Sequence, residues 1–399
     1  MNNDELQILG TPKNTKKKKG FWIILAIIAA VAIIVGFGLY LNQPSNGTVK
    51  IKTGKKMGEP TIVPKLQVAV DSLLNVQLTE TGNCLQGQVI VMEVKTGEIL
   101  AMVGLERNFE GKFQPCNNFA YQQELGSLMK TASLLAVLET GKVKLSDKVD
   151  AGNGVCVVDG DLFMMDHNWR RGGYGTITLD RALEVSSDIG ISKTVAKVFG
   201  NKQQDFFDLL DKMSFGKPDS INGIEGLKPT SYSSPKDFNW VNWKIWWSSV
   251  GYERKMAPIQ MLTFYNAIAN GGKMVKPTLK TGEIEIINPQ IANKANIDSM
   301  QIVLEHVVSQ GVGRKAGSPH LLVAGKTGRA EVNEHDFGRE NIVDEYHLAF
   351  CGYFPAYSPQ YSMIVSINKL GLPASGGGMA GIVFHNIVEW MLYHDMLSM

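Results

Sequence analysis

Residues 21–41 form an uninterrupted apolar run without a charged side chain, FWIILAIIAAVAIIVGFGLYL. A helix of this length can cross the hydrocarbon core of a bilayer, which is about 30 Å thick. Lys13 and the four lysines at 16–19 precede the run, and the positive-inside tendency then places the N-terminus in the cytoplasm. We therefore expect a cytoplasmic tail at residues 1–20, a transmembrane anchor at 21–41, and an extracytoplasmic (periplasmic) location for everything that follows.

A cleaved signal peptide is the alternative interpretation of this run. Signal peptides have a shorter apolar core and a small-x-small cleavage site, whereas here a full-length span is followed by Asn42 and Gln43. These features favour a retained single-pass anchor in the cytoplasmic (inner) membrane. Lysines at 50, 52, 55 and 56 reduce the charge asymmetry that sets its orientation.

The composition favours a folded protein and gives no reason to expect a polyanionic partner. The 399 residues are 44% hydrophobic, enough for a large core in one big or two small domains. The formal charge of +2 does not indicate nucleic acid binding. Cysteines at 84, 116, 156 and 351 lack the spacing of zinc ligands, so we expect no metal or cofactor. Disulfides and buried free thiols are both compatible with this pattern.

Residues 42–85 are predicted to be a linker with a short juxtamembrane part. The stretch 42–64 is rich in Lys, Gly, Thr and Pro and lacks apolar periodicity. From Gln86 two apolar runs, QGQVIVMEV and EILAMVG, flank Lys95-Thr96-Gly97 and indicate a β-hairpin. A folded domain is therefore expected over residues 86–399.

The rest of the chain combines helical and strand patterns. Apolar spacing predicts helices at 126–138, at 178–199 as one or two helices, at 257–270 and at 381–397. Strands are predicted for LLVAGKTG, HLAFCGYF and YSMIVSIN. Strands, a long helical middle, then strands and a helix indicate an α+β domain with an inserted helical lobe.

Ser127 and Lys130 combine a nucleophile and a base on one helix. A serine hydroxyl becomes a good nucleophile when a nearby base takes its proton, and a lysine can be that base. The i, i+3 spacing puts both on one face, where the helix N-terminus adds positive potential for an oxyanion. The same Ser-x-x-Lys spacing starts at Ser214, Ser233 and Ser366, but only Ser127 opens a clear helix.

The tripeptide Lys-Thr-Gly is also repeated, and its context selects one copy. It begins at Lys52, Lys95, Lys280 and Lys326. The first copy lies in the predicted linker and the second in the hairpin turn. Lys326 ends an apolar strand where a sheet edge is expected, so this copy is the candidate for a functional site.

In their order along the chain, these motifs resemble those of the penicillin-binding transpeptidases of bacterial cell-wall synthesis, particularly the monofunctional, membrane-anchored class B branch. The matching segments, from about Gln86 to the C-terminus, are QVIVMEVKTGEILAMVG, GSLMK, ITLDRALEVSSDIG, SSVGYERKMAPIQMLTFYNAIANGGKMVKP, AGKTGRA and HLAFCGYFPAYSPQYSMIVSI. The resemblance implies the penicillin-binding transpeptidase or serine β-lactamase-like fold, an antiparallel sheet flanked by helices with a helical lobe.

The resemblance also implies a reaction. Ser127 would attack the carbonyl of a peptidoglycan stem peptide ending in D-Ala-D-Ala, release the last D-Ala and form an acyl-enzyme. An amine from a neighbouring stem would then complete the cross-link, and β-lactams would trap Ser127. In this family pattern Lys130 is the general base, Ser186 passes the proton to the leaving amine, and Lys326 orients that relay and attracts the substrate carboxylate.

The remaining candidate residues contact substrate in the same pattern. They are Asp188, Thr327, Gly328 and Arg329, and the backbone N–H groups of Ser127 and Arg329 would form the oxyanion hole. No metal takes part in the reaction that the resemblance implies.

Several features depart from the family pattern. Asp188 replaces the usual Asn, and because an ionised carboxylate cannot donate a hydrogen bond, it could instead pair with Lys130 or Lys326. Arg329 replaces the usual Thr, where it could bind the substrate carboxylate or crowd the site. Leu125 replaces the usual Pro. Residues 42–85 are too short for the large non-catalytic domain that anchored members usually carry.

Two other functions stay open on the sequence. Asp188 and Arg329 are compatible with a weak or inactive penicillin-binding scaffold or sensor of the cell-wall machinery. A D,D-carboxypeptidase or β-lactamase-like hydrolase would need a deacylating base, for which no motif is recognised. Expected partners are stem peptides, β-lactams, the membrane and proteins of a cell-wall synthesis complex, without nucleic acid.

Aromatic and histidine clusters outside the motifs are expected to be structural or surface features, without a part in the chemistry. Trp240, Trp243, Trp246, Trp247 and Tyr252 are expected to pack the helical lobe. Asp166-His167 and the Glu-His-Asp run at 334–336 are expected in surface loops, since a Ser-His-Asp triad would leave the ordered motifs unexplained.

Overall fold

The computed structural model describes residues 57–332 and 344–397. The predicted tail, the anchor and the first part of the linker lie outside these ranges, and so does the Glu-His-Asp run at 334–336. Among the helices of these two ranges, none has the length and apolarity needed to span a bilayer. The anchor and the membrane location therefore stay predictions.

The helices and strands alternate in groups along the described chain. The helices are α1 (Pro64–Thr81), α2 (Met129–Glu139), α3 (Leu179–Glu184), α4 (Asp188–Phe199), α5 (Gln203–Lys212), α6 (Lys244–Ser248), α7 (Pro258–Ala269), α8 (Lys294–Ser309) and α9 (Ala380–Tyr393). The strands are β1 (Cys84–Glu93), β2 (Ile99–Arg107), β3 (Phe113–Pro115), β4 (Lys148–Asp150), β5 (Val155–Asp159), β6 (Leu162–Met165), β7 (Thr176–Thr178), β8 (Ser231–Tyr232), β9 (Arg254–Lys255), β10 (Met274–Val275), β11 (Ile286–Asn288), β12 (Ala324–Val332), β13 (Glu345–Phe354) and β14 (Tyr361–Leu370).

The main sheet has six antiparallel strands in the order β12-β13-β14-β1-β2-β3. The predicted hairpin forms β1 and β2, and the three predicted C-terminal strands form β12, β13 and β14. Strand β12, which carries Lys326, lies at one edge of this sheet. The predicted α+β architecture and the edge position of the third motif are therefore confirmed.

Both faces of the sheet are buried, as alternation along β1 makes clear. Val89 and Val91 pack toward α1 and α9, whereas Ile90 and Met92 pack toward the helices that surround α2 and α7. Successive side chains of a strand point to opposite faces, so an unbroken apolar run requires cover on both sides. Two apolar layers with the sheet between them therefore form the core.

Helix α1 lies inside the stretch 42–85, for which the sequence pattern indicated a linker. Its buried residues repeat every four positions, which places them on one face of the helix: Leu66, Val70, Leu74 and Leu78. A Cβ atom on Gly87 of β1 would lie 3.0–3.2 Å from the side chains of Leu74 and Leu78. The packed part of the chain thus begins before residue 86, and Pro64 at the first helical turn starts it.

The helical lobe contains the tryptophan-rich segment. Trp240 and Trp246 pack against the core that includes α2 and α7, and Trp247 and Tyr252 pack against Ile189 and its neighbours. These contacts support the assignment of the aromatic cluster to packing. The four cysteines are free thiols in this structure, with Cys84 and Cys351 buried and Cys116 and Cys156 only partly buried, so the expectation of buried thiols is met at two of the four positions.

We predict that α1 contributes to the stability of the folded domain. Leu74→Ala should lower the free energy of unfolding by about 2–5 kcal/mol, because it removes a fully buried side chain and leaves a cavity. Val76→Ala on the same helix is the control, since Val76 is 54% exposed and should change stability by less than about 0.5 kcal/mol. Urea unfolding of both variants measures the difference. Equal effects would mean that α1 is not part of the core.

Candidate active site

The turn that carries Ser127 lies against the edge strand of the main sheet. Gly126–Leu128 form a 3₁₀ turn that leads into α2, with Ser127 half-buried at its start. Gly126 has a φ of 52°, and a Cβ atom on it would lie 2.0 Å from the backbone oxygen of Arg329. Only glycine fits both this conformation and this approach. The glycine of the nucleophile motif therefore brings Ser127 next to the strand of the third motif.

Lys130, three residues after Ser127, is fully buried and its ammonium group is surrounded by acceptors. The Nζ atom donates to Ser186 O at 2.6 Å and to Ser186 Oγ at 3.1 Å, and it pairs with Asp188 Oδ1 at 2.9 Å. Three acceptors match the three N–H donors of a protonated lysine. The expectation that Asp188 pairs with Lys130 or Lys326 is confirmed for Lys130.

Ser186 owes its place in this cluster to the junction between α3 and α4. Its φ is 57°, in the left-handed region that few residues other than glycine adopt. Ser187 follows as the N-cap of α4, where its Oγ accepts a hydrogen bond from the backbone N–H of Gly190 at 2.9 Å. Asp188 is the first residue of that helix. The second motif is therefore a strained turn followed by a capped helix N-terminus.

Lys326 on β12 reaches the same hydroxyl. Its Nζ donates to Ser186 Oγ at 2.8 Å and to Thr327 O at 3.1 Å. Burial and the charge of Lys130 lower the pKa of Lys326 well below the ordinary value of 10.5, while Asp188 acts in the opposite direction. Because Ser186 Oγ accepts from two lysines, its lone pairs are used and its own proton is available to a third group.

The predicted substrate-binding residues after Lys326 follow along the edge strand. Thr327 Oγ1 is 3.4 Å from Lys326 Nζ. Gly328 approaches the nucleophile loop so closely that a Cβ atom there would lie 2.7 Å from Leu125 O. Glycine at position 328 thus lets β12 and the loop before Ser127 meet backbone to backbone.

The guanidinium of Arg329 is exposed and has partners on the sheet. It lies 3.5 Å from the carboxylate of Glu331 and 4.9 Å from the ring centroid of Tyr346. A role for this side chain toward a substrate carboxylate stays a prediction.

Asp166 belongs to this cluster, although the sequence pattern indicated a surface loop. That expectation is wrong for Asp166, because its side chain is fully buried. Its Oδ2 accepts from Ser187 Oγ at 2.7 Å, and its Oδ1 accepts from the backbone N–H of Ile189 at 3.1 Å. Ser187 and Ile189 lie 21 and 23 positions after Asp166 in the sequence, so no local motif indicates these contacts.

Two uncharged polar side chains lie close enough to Asp188 to feel its charge. Partial burial and the charge of Lys130 lower the pKa of His167, so its ring is neutral at pH 7. Burial, with a smaller contribution from Asp188, raises the pKa of Tyr252 to about 12. The charges in the site therefore come from lysines and carboxylates, and not from His167 or Tyr252.

Within residues 57–332 and 344–397, no group of three or more His, Cys, Asp or Glu side chains is arranged to hold a metal ion. The groups that meet in the site are hydroxyls, ammonium groups and carboxylates. They are suited to proton transfer and to nucleophilic attack on an acyl group.

Comparison with known proteins identifies a family and several relatives. Residues 87–389 match the penicillin binding protein transpeptidase domain. The chain is 29% identical over 309 residues to the probable peptidoglycan D,D-transpeptidase PbpC of Pseudomonas aeruginosa, covering 74% of this chain and 51% of that protein. It is 26% identical over 326 residues to the stage V sporulation protein D of Bacillus subtilis, covering 75% of this chain and 48% of that protein.

A solved structure shares the fold. The apo structure of the TP domain from Burkholderia pseudomallei penicillin-binding protein 3 superposes with a TM-score of 0.71 at 25% identity, covering 84% of this chain and 96% of that one. The chain belongs to the penicillin-binding protein transpeptidase family. It spans about half the length of the two curated relatives described above.

We predict that Lys326 is needed for acylation but not for stability. Lys326→Met should abolish labelling by a fluorescent penicillin, while the free energy of unfolding at pH 7 stays unchanged or rises by about 1–2 kcal/mol. The reason is that relief of the repulsion between two buried lysines offsets the loss of the hydrogen bond to Thr327 O, and Ser186 Oγ keeps Lys130 as a donor. Lys369→Met is the control, because Lys369 is buried but donates to the carbonyls of Leu370 and Gly371. That variant should be destabilised.

The pH dependence of stability tests the same point. With its folded-state pKa lowered, Lys326 binds a proton in the unfolded chain that it lacks in the folded one, between the lowered pKa and 10.5. Stability should therefore rise with pH across that window in the wild type, and this rise should be smaller in Lys326→Met. Marked destabilisation of Lys326→Met at pH 7 would contradict the prediction.

Proposed function

We propose that this protein is a serine-type peptidoglycan D,D-transpeptidase that acts through an acyl-enzyme on Ser127. The observation that carries the proposal is the meeting of Lys130 and Lys326 on the hydroxyl of Ser186. This arrangement provides a base, a proton donor and a positive charge beside the turn that carries Ser127. Membership of the family and the names of its relatives support the same reaction.

In the proposed reaction, Ser127 Oγ attacks the carbonyl of a stem peptide and Lys130 takes its proton. The hydroxyl of Ser186, hydrogen-bonded to both lysines, donates its proton to the leaving amine and is reprotonated from Lys130. The contact of Gly126 with Arg329 supports an oxyanion hole built from the backbone N–H groups of Ser127 and Arg329. The positive charge near Lys326 and Thr327 would attract the terminal carboxylate of the substrate.

Asp188 imposes a condition on this cycle. Lys130 can act as a base only after losing a proton, and the carboxylate 2.9 Å away is the nearest anionic acceptor. Transfer of that proton gives a neutral amine and a carboxylic acid, and the acid can donate a hydrogen bond as the usual Asn of the family does. The ion pair is therefore a brake that the reaction must release, and the neutral pair is the competent state.

The same proposal includes the location and partners that the sequence predicts. An anchor at residues 21–41 would hold the domain outside the cytoplasmic membrane, where stem peptides and proteins of cell-wall synthesis are found. The length of the apolar run and the lysines before it support this location. β-Lactams would acylate Ser127 as substrate mimics.

A penicillin-binding scaffold or sensor is the second candidate function. The ion pair between Lys130 and Asp188 favours this second function, because a lysine held in its charged form cannot take the proton of Ser127 and the serine is then acylated slowly. A sensor would be acylated once and its acyl-enzyme would persist, whereas the acyl-enzyme of a transpeptidase would react with an acceptor amine and regenerate the free enzyme. Muropeptide cross-linking in cells that carry the wild type or Ser127→Ala distinguishes the two.

We predict that Ser127→Ala abolishes covalent labelling by a fluorescent penicillin, because the proposed acyl-enzyme forms on the hydroxyl of Ser127, which lies in the turn that packs against β12. Ser233→Ala is the matched control, since Ser233 shares the Ser-x-x-Lys spacing but lies outside the cluster. Gel fluorescence of membranes carrying each variant reports the result. A wild-type protein that never labels, or Ser127→Ala that labels normally, would refute the proposal.

We predict that Asp188→Asn speeds acylation by about tenfold, which corresponds to an activation barrier lowered by about 1.4 kcal/mol. The amide supplies a hydrogen-bond donor for the substrate, which the ionised carboxylate lacks, and it no longer stabilises the charged form of Lys130. Asp188→Ala removes the ion pair without supplying the donor, so it should acylate more slowly than Asp188→Asn. The second-order rate of penicillin labelling measures all three proteins. Slower labelling of Asp188→Asn than of the wild type would show that the carboxylate is not a brake.

A further inference from the structure

The conformation of Ser186 requires support from its surroundings. A non-glycine residue at a φ of 57° costs about 1–3 kcal/mol, and such a residue persists only where neighbouring contacts hold it. The two lysines bind its oxygens, but they do not fix the backbone on either side of it. The backbone N–H groups of Ser186 and Ser187 donate to the carbonyls of Leu183 and Ala182 at 3.1 and 2.8 Å. The side-chain contacts to the flanking residues come from the loop at 166–174, which follows the β5–β6 hairpin.

This loop holds the backbone on both sides of Ser186. After it, Asp166 accepts from Ser187 Oγ at 2.7 Å and from the N–H of Ile189 at 3.1 Å. Before it, the hydroxyl of Tyr174 lies 3.5 Å from the carbonyl oxygen of Val185. The stronger of the two attachments is the one made by the Asp166 carboxylate, since it is shorter, double and charge-assisted.

The burial of the Asp166 carboxylate is unfavourable by itself. It is fully buried, and burial raises its pKa above the ordinary value of 3.8, so the fold bears a cost for its negative charge. The charged and titratable groups that face it are Lys130, Asp188, Tyr174 and its chain neighbour His167. A buried charge that costs stability yet orders the second motif is the pattern expected of a functional support.

We propose that Asp166 is a positioning residue of the active site, whose carboxylate fixes the N-terminus of α4 and thereby holds Ser186 between Lys130 and Lys326. The inference rests on the proposed function, because the benefit of this placement is proton relay through Ser186. Asp166 acts through Ser187 and Ile189 and does not touch the reacting atoms.

An amide cannot accept both hydrogen bonds as this carboxylate does. In Asp166→Asn the single amide oxygen would accept from the Ile189 N–H, and the N–H₂ group would face Ser187 Oγ, which would have to accept from it instead of donating and would lose the charge-assisted bond. The helix N-terminus would shift and Ser186 would lose its register with the lysines. A misplacement of about 1 Å in such a site costs about a hundredfold in rate. Stability should change little, because the substitution also removes a costly buried charge.

The test compares the acylation rate and thermal stability of Asp166→Asn with those of Asp161→Asn. Asp161 is exposed and directly precedes β6, the strand that Asp166 follows. We expect the rate of penicillin labelling to fall by about a hundredfold in Asp166→Asn, with a melting temperature close to that of the wild type, and no change in Asp161→Asn. Wild-type labelling by Asp166→Asn would overturn the proposal. A loss of labelling that merely follows a loss of folded protein would also overturn it.

The pH profile gives a readout that a merely structural role does not move. Protonation of Asp166 removes one acceptor, so wild-type labelling should fall as pH drops through the raised pKa of this group. The Asp166→Asn profile should lack that step. Because Lys130 and Asp188 face the same region, the comparison is made between variants that keep both. Identical acid limbs in the wild type and Asp166→Asn would count against Asp166.

Two further measurements separate this inference from the proposed function. Ser187→Ala removes the other partner of the same bond, and the rate losses of Ser187→Ala and Asp166→Asn should not add in the double variant. If the wild type never labels, the proposed function fails, and hydrogen exchange then decides on Asp166 alone. Faster exchange of the Ile189 and Gly190 amides in Asp166→Asn would agree with Asp166 fixing the N-terminus of α4, and unchanged exchange would overturn that role.

Discussion

Two buried lysine side chains meet on one hydroxyl oxygen, and the arrangement of the site depends on that contact. Lys130 from α2 and Lys326 from β12 both donate to Ser186 Oγ, so a helix of the lobe, a strand of the sheet and the turn before α4 are joined at one atom. Two like charges this close are unfavourable in a buried site unless carboxylates and acceptors compensate them. Asp188 supplies the direct ion pair, and Asp166 supplies a second buried negative charge nearby.

Glycine makes the meeting of these elements geometrically feasible. At Gly126 and Gly328 the nucleophile loop and the edge strand approach each other so closely that a Cβ atom would overlap backbone atoms. The sheet itself is rigid because both of its faces are covered by apolar layers. The reacting groups are thus held by backbone contacts on a buried scaffold, which is the condition for electrostatic preorganisation.

The sequence predicted the parts of this site that follow local rules. Periodicity indicated the hairpin, α2, α7 and the C-terminal strands, and the order of the motifs selected Ser127 and Lys326 among equivalent spacings. The linker prediction extended over α1, although its apolar residues at 66, 70, 74 and 78 have helical spacing. Asp166 could not be found, because its partners lie more than twenty positions away and only the fold brings them together. Pairing of Asp188 with Lys130 was foreseen as one of two options, and geometry decided between them.

The central claim is that the cluster around Ser186 serves a nucleophile at Ser127. The most direct measurement is mass spectrometry of the purified protein after incubation with benzylpenicillin, followed by proteolysis and mapping of the modified peptide. The account predicts one covalent adduct per chain, located on Ser127 in the peptide that contains GSLMK. An unmodified chain, or an adduct on any other residue, would contradict it.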